Sequence, residues 1–306
     1  MEFWPSTIDG LTLGSIYALF ALGYTMVYGV LKLINFAHSE VFMVGTFSSL
    51  FLLHDLGVHG PQHGAALLAV LVGCLVVAMA GSGLTALVIE RVAYRPLRRR
   101  GASRLAALIS AIGASFFLQE AFGKWYSRNY SNFPRVLHRV VWFHIGSGVV
   151  SNDEVLVVLG ALTMMVALER TVAKTKLGRG IRAVAQDPET ATLMGVNIDR
   201  TILYTFLLGG LMAGVAAMLW GVRIEQTRFD IGFLPGIKAF TAAVLGGIGN
   251  IRGALVGGVV IGLLELYGAS IFGSQWRDPV VFVVLVAVLV FRPTGLLGES
   301  LSRTRV

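Results

Sequence analysis

The amino-acid sequence predicts an all-α protein, a polytopic bundle of transmembrane helices with about eight or nine spans. Hydrophobic residues make up 55% of the 306-residue chain and charged residues only 14%, whereas soluble domains carry about 25% charged residues. The mean hydropathy is +0.74. Several apolar runs approach or exceed the roughly 20 residues that a helix needs to cross a bilayer. The period-2 alternation of barrel strands does not occur in these runs.

Nine apolar segments are candidate spans, and we assign all of 1–306 to a single transmembrane domain. The segments are 8–31, 41–56, 65–89, 105–124, 154–172, 201–222, 233–250, 253–272 and 279–292. Two of them are the weakest predictions, because 41–56 is short and 233–250 is rich in glycine. Both are candidates for re-entrant segments, which turn back inside the membrane where their backbone is buried in protein.

The basic residues predict how the chain is oriented in the membrane. They cluster in the 90–104 loop, in the 173–200 loop and in the tail that contains Arg303 and Arg305. By the positive-inside rule these three segments are cytoplasmic. The N-terminus is then external, and no cleaved signal peptide is expected because a positive n-region is missing. This clustering explains the net charge of +8 without nucleic-acid binding.

The 173–200 loop combines charge with the signals of one short helix. Asp187 is a typical N-cap, Pro188 suits the first helical position, and Glu189 suits the first turn. Gly195 is a suitable helix stop. The sequence therefore predicts a helix over about 188–194 that lies between two spans and is available to a partner outside the membrane.

Polar residues interrupt the apolar sequence at 32–40 and mark a candidate solute path. Asn35, His38 and Glu40 lie there, next to Ser39. The segment is either a short cytoplasmic turn or a broken, partly embedded segment that lines the path. No metal site is expected, because His38 has no second His or Cys at ligand spacing.

The glycine-rich segment 239–262 has two interpretations. Glycines recur every fourth residue, as in a stripe of small residues that lets helices pack closely. The alternative is local unwinding that exposes backbone polar groups to a solute. The candidates for this second role are Gly246, Gly247, Gly249 and Asn250.

A few other residues inside apolar runs are candidates for the path. Tyr17 lies on a helix face that is first a packing face, with a place on the path as the alternative. Glu265 and Lys238 are functional candidates because ionisable groups are costly at membrane depth. Their alternatives are an internal ion pair or a wet cavity.

Enzyme motifs are missing from the sequence. It contains no G-x-x-x-x-G-K-[ST] loop for ATP, no G-x-S-x-G, no H-E-x-x-H and no C-x-x-C. We therefore expect no enzymatic activity and no cofactor in this chain.

Four sequence blocks resemble the permease subunits of branched-chain amino acid ABC importers. The family's first quarter resembles LGSIYALFALGYTMVYGVLKLINFAHSEVFMVGTF, and its coupling loop resembles RGIRAVAQDPETATLMGVNIDR. Its C-terminal block and tail resemble FTAAVLGGIGNIRGALVGGVVIGLLE and FRPTGLLGE. The blocks follow in order along nearly the whole chain, and INFAHSE is similar to the shorter of the two paralogous permeases. Ser39 stands where the family leads us to expect glycine.

The resemblance implies a multi-pass permease in a bacterial inner membrane that imports leucine, isoleucine and valine. It implies a second permease, expected to be a paralogue, and two cytoplasmic ATPases that use ATP and Mg²⁺. A periplasmic binding protein would deliver the solute. ATP-driven closure would move the loop helix, docked on an ATPase, as a rigid body. The implied coupling residues are Arg182, Ala183, Asp187, Pro188, Glu189, Ala191, Leu193 and Gly195, of which Ala191 and Leu193 are expected to contact the ATPase.

Two other functions stay open at this point. A related ABC importer would carry urea, short-chain amides or other amino acids, and would differ only in its pocket. A secondary carrier coupled to protons or sodium would use Glu265 and His38 as a relay. Both functions therefore remain alternatives to the import of branched-chain amino acids.

Overall fold

The computed structural model describes residues 3–126, 128–292 and 294–298. Its α-helices are α1 (Phe3–Leu31), α2 (His38–Asp55), α3 (Gly64–Ile89), α4 (Arg95–Arg99), α5 (Arg104–Tyr126), α6 (Asn152–Lys174), α7 (Lys176–Gln186), α8 (Pro188–Leu193), α9 (Ile198–Ile224), α10 (Phe233–Gly246), α11 (Ile251–Phe272) and α12 (Arg277–Phe291). A π-helical turn, Glu90–Tyr94, joins α3 to α4, and a 3₁₀ turn, Ser274–Trp276, precedes α12. The predicted all-α class is confirmed.

The extended structure of the described chain consists of two short antiparallel pairs. Strand β1 (Ser131–Asn132) pairs with β4 (Gln226–Thr227). Strand β2 (Val141–Ile145) pairs with β3 (Gly148–Ser151). Both pairs lie outside the long apolar helices, so they do not alter the helical class.

Seven helical segments of the described chain are long and apolar enough to cross a membrane. The two segments singled out as weakest, 41–56 and 233–250, correspond to α2 and α10, and neither is among the seven. Helix α10 has 14 residues, or about 21 Å of helix, which is short of a hydrocarbon core of about 30 Å. Helix α2 begins with three polar residues. Neither segment is therefore a candidate span by length and composition.

Helix α1 lies at the centre of the bundle and is almost wholly buried. It packs against α6, α9, α10 and α11. The apolar outer faces of α3, α5, α6 and α12 are largely exposed, as expected for helices that face lipid or another subunit. The core therefore forms around α1, and the other helices screen it from the membrane.

Close packing of α1 on α11 depends on glycine at facing positions. A Cβ added at Gly14 would lie 2.8 Å from the Cα of Val259 and 2.9 Å from the carbonyl oxygen of Gly258. One added at Gly257 would overlap the carbonyl of Ala242 on α10. The packing interpretation of the glycine stripe is confirmed.

Ion pairs and hydrogen bonds show which loops share an end of the bundle. Arg98 lies 2.6 Å from Asp199, which joins the 90–104 loop to the start of α9. Arg252 at the start of α11 lies 2.6 Å from Glu169 near the end of α6. The backbone N–H of Leu297 donates to Gly246, so the described part of the tail lies there too. Arg303 and Arg305 lie outside the described residues.

The opposite end holds the start of α1 and the three arginines of the 125–153 loop. Arg223 near the end of α9 pairs there with Asp9 and with Asp153. Each arginine of the 125–153 loop has an acidic partner: Arg128 with Glu120, Arg135 with Glu225, and Arg139 with Asp153. Their charges are offset, so the excess of positive charge stays at the other end.

Candidate functional site

Helix α8 forms where the sequence predicts it and has the predicted cap. The Asp187 carboxylate accepts hydrogen bonds from the backbone N–H groups of Glu189, at 3.0 Å, and Thr190, at 3.3 Å. Pro188 occupies the first turn. Gly195 follows the helix with φ +83°, a conformation that only glycine adopts at no steric cost. The helix therefore begins and ends on signals in its own sequence.

The cap also fixes the charge of Asp187. The Thr190 hydroxyl, followed by its backbone N–H, holds the pKa of the Asp187 carboxyl below its usual range. The carboxylate is therefore ionised at neutral pH. A negative charge at a helix N-terminus favours the helix through its dipole.

A second helix in the loop, α7, supports α8 and was not predicted. It buries Ile181 and Val184, and Ala183 is partly buried. The exposed Arg182 donates to the backbone carbonyl of Val172 at the end of α6. The apolar face of α7 gave a signal in the sequence, with large residues three apart. Helix α7 contacts α6, α8 and α9, so it links α8 to the bundle.

The structure corrects the expected contact residues of α8. Ala191 is only 3% exposed, and its small side chain packs inside the loop's own fold. It therefore cannot form a contact surface for a partner, contrary to the sequence-based expectation. Leu193 is 87% exposed and Met194, which the sequence analysis missed, is 81% exposed. We call these two residues the α8 tip.

The segment between α1 and α2 turns back into the bundle. The ring of His38, the first residue of α2, lies against Gly23, where an added Cβ would overlap it. Gly23 precedes the end of α1 by about 12 Å of helix. The 32–37 segment therefore runs back along α1, which supports the embedded interpretation over the cytoplasmic turn.

The chain re-enters the bundle a second time before α10. Thr227 follows α9 and lies 2.6 Å from the Thr46 hydroxyl of α2. Five residues later, a Cβ added at Gly232 would overlap the carbonyl oxygen of Ser39 at the start of α2. The helices α2 and α10 therefore begin side by side inside the protein. Irregular backbone of this kind is tolerated at membrane depth where it is buried or lines a cavity.

The predicted path residues of the 32–40 segment are all buried here. Asn35 accepts a hydrogen bond from the Tyr94 hydroxyl at 3.2 Å. His38 packs between the rings of Phe20 and Tyr24. The Oε1 atom of Glu40 accepts hydrogen bonds from three side chains: Ser39 at 3.0 Å, Ser115 at 3.1 Å and Gln119 at 2.8 Å.

A cavity of about 390 Å³ lies next to this cluster, between α1, α2, α5, α10 and α12. Its walls are mostly apolar, and its polar residues are those that surround Glu40, together with Tyr24. The lining residues are Tyr24, Phe36, Ser39, Ile112, Ser115, Phe116, Gln119, Phe233, Gly236, Ile237, Phe240 and Leu285. The sequence analysis missed the residues of α5, because Ser115 stands alone in an apolar run and Gln119 lies next to Glu120 near the end of that run.

Glu265 and Tyr17 belong to a different buried network. Glu265 lies 2.9 Å from the Lys238 ammonium and also pairs with Arg277. Asp278 lies 2.6 Å from the same ammonium, which sits 5.9 Å from the centre of the Tyr17 ring. Opposite charges from α10, α11 and α12 therefore compensate one another. This supports the internal-pair interpretation of Glu265 and Lys238.

The glycine turn between α10 and α11 is a structural element. Gly247 has φ +102° and Gly249 has φ +99°, so the chain unwinds as predicted. The carbonyls of Leu245 and Gly246 accept hydrogen bonds from Leu296 and Leu297 of the tail. Asn250 caps α11 and donates to Leu297. The tail therefore binds the Gly246 carbonyl and the Asn250 side chain, which corrects the expectation that these two groups face a solute.

The described residues contain no group of three or more His, Cys, Asp or Glu side chains placed to hold a metal ion. The described features of this arrangement are a mostly apolar cavity with polar residues near Glu40 and two exposed apolar side chains at the α8 tip.

The chain is similar over nearly its whole length to known transport proteins. Residues 6–289 match the family described as branched-chain amino acid transport system / permease component. The chain is 42% identical to the high-affinity branched-chain amino acid transport system permease protein BraD of Pseudomonas aeruginosa, covering 97% of this chain and 96% of BraD. It is 40% identical to LivH of Escherichia coli K12, covering 98% and 96%.

Two more distant proteins also align with nearly the whole chain. The probable branched-chain amino acid transport permease protein LivH of Methanocaldococcus jannaschii is 27% identical over 95% of this chain and 91% of that protein. The solved PsaBC complex of Streptococcus pneumoniae aligns over 94% of this chain and 91% of that chain, with a TM-score of 0.49 and 11% identity. The latter similarity is too low to support an inference.

Proposed function

Because the chain belongs to the permease family of branched-chain amino acid transport systems, we propose that it is a permease subunit of an ATP-driven importer. The proposed solutes are leucine, isoleucine and valine, which are the class that the relatives' names give. The proposed location is a bacterial inner membrane. In this orientation α8 faces the cytoplasm and the start of α1 faces the periplasm.

The observation that carries the coupling part of the proposal is the exposed α8 tip. Leu193 and Met194 place two large apolar side chains in water, at the end of a helix fixed by its own cap and by α7. Exposed apolar groups beside charged residues are typical of contact sites for other proteins. We propose that the tip inserts into a cytoplasmic ATPase subunit. Closure of two ATPases around ATP and Mg²⁺ then moves α8, and α7 carries the movement to α6 and α9.

The other proposed partners are the remaining components of an ATP-driven importer. A second permease, expected to be a paralogue, covers the exposed faces of the bundle and completes the path. A periplasmic binding protein delivers the solute to the opposite end. ATP is hydrolysed by the partner subunits, since this sequence has no P-loop.

The function is tested by uptake of radiolabelled leucine into proteoliposomes. They contain this chain, its paralogous permease and the ATPases, with ATP inside and the binding protein outside. We expect uptake that requires both ATP and the binding protein, with competition by valine and isoleucine. Competition by urea or amides, but not by valine or isoleucine, would show that the proposed substrate is wrong and that the importer carries urea or amides. Uptake by this chain alone under an ion gradient would overturn the proposal.

The coupling contact is tested with the double variant Leu193→Asp and Met194→Asp. Two carboxylates cannot enter an apolar groove without a large desolvation cost. We therefore expect the ATPase to be lost on co-purification, with leucine uptake lowered at least about tenfold. The matched control is Leu56→Asp, a 54% exposed leucine at the opposite end, which leaves co-purification unchanged. Retained ATPase binding in the double variant would refute the contact.

A further inference from the structure

Glu40 differs from the other buried acidic side chains of the described chain because it has no cationic partner. The other buried acids each pair with Arg or Lys: Glu90 with Arg98, Asp153 and Glu154 with Arg223, and Glu265 with Lys238. No ion pair of Glu40 within 4.0 Å occurs among the described residues. A buried carboxylate without a counter-charge has a large desolvation cost. The ionised form of Glu40 therefore lacks the counter-charge that the other buried acids have.

The hydrogen bonds to Glu40 reach only one of its two carboxylate oxygens, Oε1. Ser115 and Gln119 donate to Oε1. The Ser39 hydroxyl has one proton, which it shares between Glu40 and the Phe36 carbonyl at 2.7 Å. Within the described residues, the buried Oε2 atom has no partner. One carboxylate oxygen therefore still lacks a donor.

The donors around Glu40 also line the cavity. Ser39, Ser115 and Gln119 all face it. Because these groups donate towards Glu40, the hydroxyl oxygens and the Gln119 carbonyl oxygen remain free to accept, and Gln119 also keeps one N–H donor. Three acceptor oxygens next to a buried negative charge favour a ligand with N–H donors and a positive charge.

The remainder of the cavity suits an aliphatic group. It is lined by apolar side chains, among them Phe36, Ile237, Phe240 and Leu285. Its volume of about 390 Å³ lies within the range of small-molecule sites, roughly 300–1,000 Å³. Phe116 and Phe233 at its rim are 60% and 52% exposed, so the cavity is open on a face that the described chain leaves uncovered.

The first turn of α10 provides a complement for a negative group. Phe233 and Gly236 from this turn line the cavity. Helix N-termini carry a partial positive charge, and broken helices inside membrane proteins direct it at anionic ligand groups. The cavity therefore combines a negative pole at Glu40, a weak positive pole at α10 and apolar walls. A zwitterion with an aliphatic side chain matches all three.

We propose that this cavity binds an aliphatic α-amino acid during transport, with its ammonium group at the polar end in front of Glu40. Its side chain lies against Phe36, Ile237 and Phe240, and its carboxylate points towards the start of α10. The choice of solute rests on the proposed function. The new element is the site and the role of Glu40 as counter-charge.

The first test is Glu40→Gln in the reconstituted complex. Glutamine keeps the size of the side chain and an oxygen that accepts from Ser115 and Gln119, but it removes the charge. We expect leucine uptake to fall at least about tenfold, whereas assembly and ATP hydrolysis are retained. Uptake within about twofold of the wild type would show that Glu40 is a neutral structural carboxyl and would overturn the proposal.

The second test fills the cavity and does not depend on Glu40. Leu285→Trp places a larger side chain in the cavity, whereas Val283→Trp, on the same helix, changes a residue that is 66% exposed and does not line it. We expect uptake to be lost only in Leu285→Trp, with ATP hydrolysis retained in both variants. Equal uptake in the two variants would overturn the proposal, even if Glu40→Gln fails to assemble.

The two tests distinguish this site from the function on which it rests. If the wild-type complex does not transport leucine, the proposed function fails. If the wild type transports leucine and either Glu40→Gln or Leu285→Trp does so normally, the function stands and the site is wrong.

Discussion

At the scale of single residues, the side chains of the 173–200 loop divide into those that shape α8 and those that it presents. Asp187 and Gly195 define its two ends through hydrogen bonds and backbone conformation. Ala191 is buried because a small side chain lets the short helix lie close to its own loop. Only Leu193 and Met194 remain as large apolar groups for a partner.

The cap of α8 is tested with Asp187→Ala and a spin label at Thr192→Cys, in a background with Cys74→Ala. Loss of the acceptor leaves two backbone N–H groups without a side-chain partner. We expect the population of unwound α8 to rise roughly fivefold at neutral pH, measured as greater label mobility. Asp187→Ser, which keeps an acceptor, is the matched control. Equal mobility in Asp187→Ala and the parent would contradict the role of the cap.

The same label measures how the cap depends on pH. Thr190 lowers the folded-state pKa of Asp187 below its ordinary value of 3.8. The stabilisation is therefore fully present above pH 3.8 and is lost as the pH falls through the lower folded-state pKa. We expect constant mobility from pH 8 down to about 5 and a rise only in stronger acid. A transition near neutral pH would show that a different group controls the helix.

At the scale of elements, the bundle depends on close contacts between helices and on two helices that begin inside it. The α1–α11 contact brings backbones together at Gly14 and Gly258, so packing in the apolar interior is van der Waals contact at short range. The starts of α2 and α10 meet at Ser39 and Gly232. These interruptions leave room for the cavity that a continuous helix would occupy.

The α1–α11 contact is tested with Gly14→Ala. The added Cβ would meet backbone atoms at 2.8 and 2.9 Å, which cannot rotate away as a side chain does. We expect destabilisation of about 1–3 kcal/mol, measured by thermal unfolding of the detergent-solubilised complex. Gly113→Ala is the control, because an added Cβ there has no neighbour within 4 Å. Equal melting temperatures for the two variants would contradict the packing role.

At the scale of the whole molecule, charge is divided between the two ends of the bundle. The 90–104 loop and the start of α9 form one cluster, in which Asp199 holds three arginines: Arg95, Arg98 and Arg99. At the other end, the arginines of the described chain are matched by acids, and Arg223 alone pairs with Asp9, Asp153 and Glu154. The excess of basic residues therefore remains on the side of α8, which the positive-inside rule assigns to the cytoplasm.

The orientation is tested by labelling single cysteines in intact cells after Cys74→Ala. Thr192→Cys in α8 and His59→Cys after α2 are both exposed positions. We expect a maleimide that does not cross membranes to label His59→Cys in intact cells, and Thr192→Cys only after the cells are opened. The reverse pattern would invert the topology.

The sequence by itself determined the helical membrane class, the two irregular segments, the capped helix and the family. Composition and hydropathy fix the class because bilayer thickness sets how long an apolar run must be. Asp187, Pro188 and Gly195 fix α8 because caps act over a few residues. These signals are local, so they can be read from the order of residues alone.

The tertiary structure decided what depends on distant residues. Glu40 was recognised as polar, but only the fold brings Ser115 and Gln119 of α5 to it and, among the residues that the structure describes, gives it no cationic partner. Glu265 was a path candidate until the fold placed Lys238 and Arg277 beside it. Whether a buried charge is compensated depends on which helices meet, and hydropathy and spacing contain no information about such contacts.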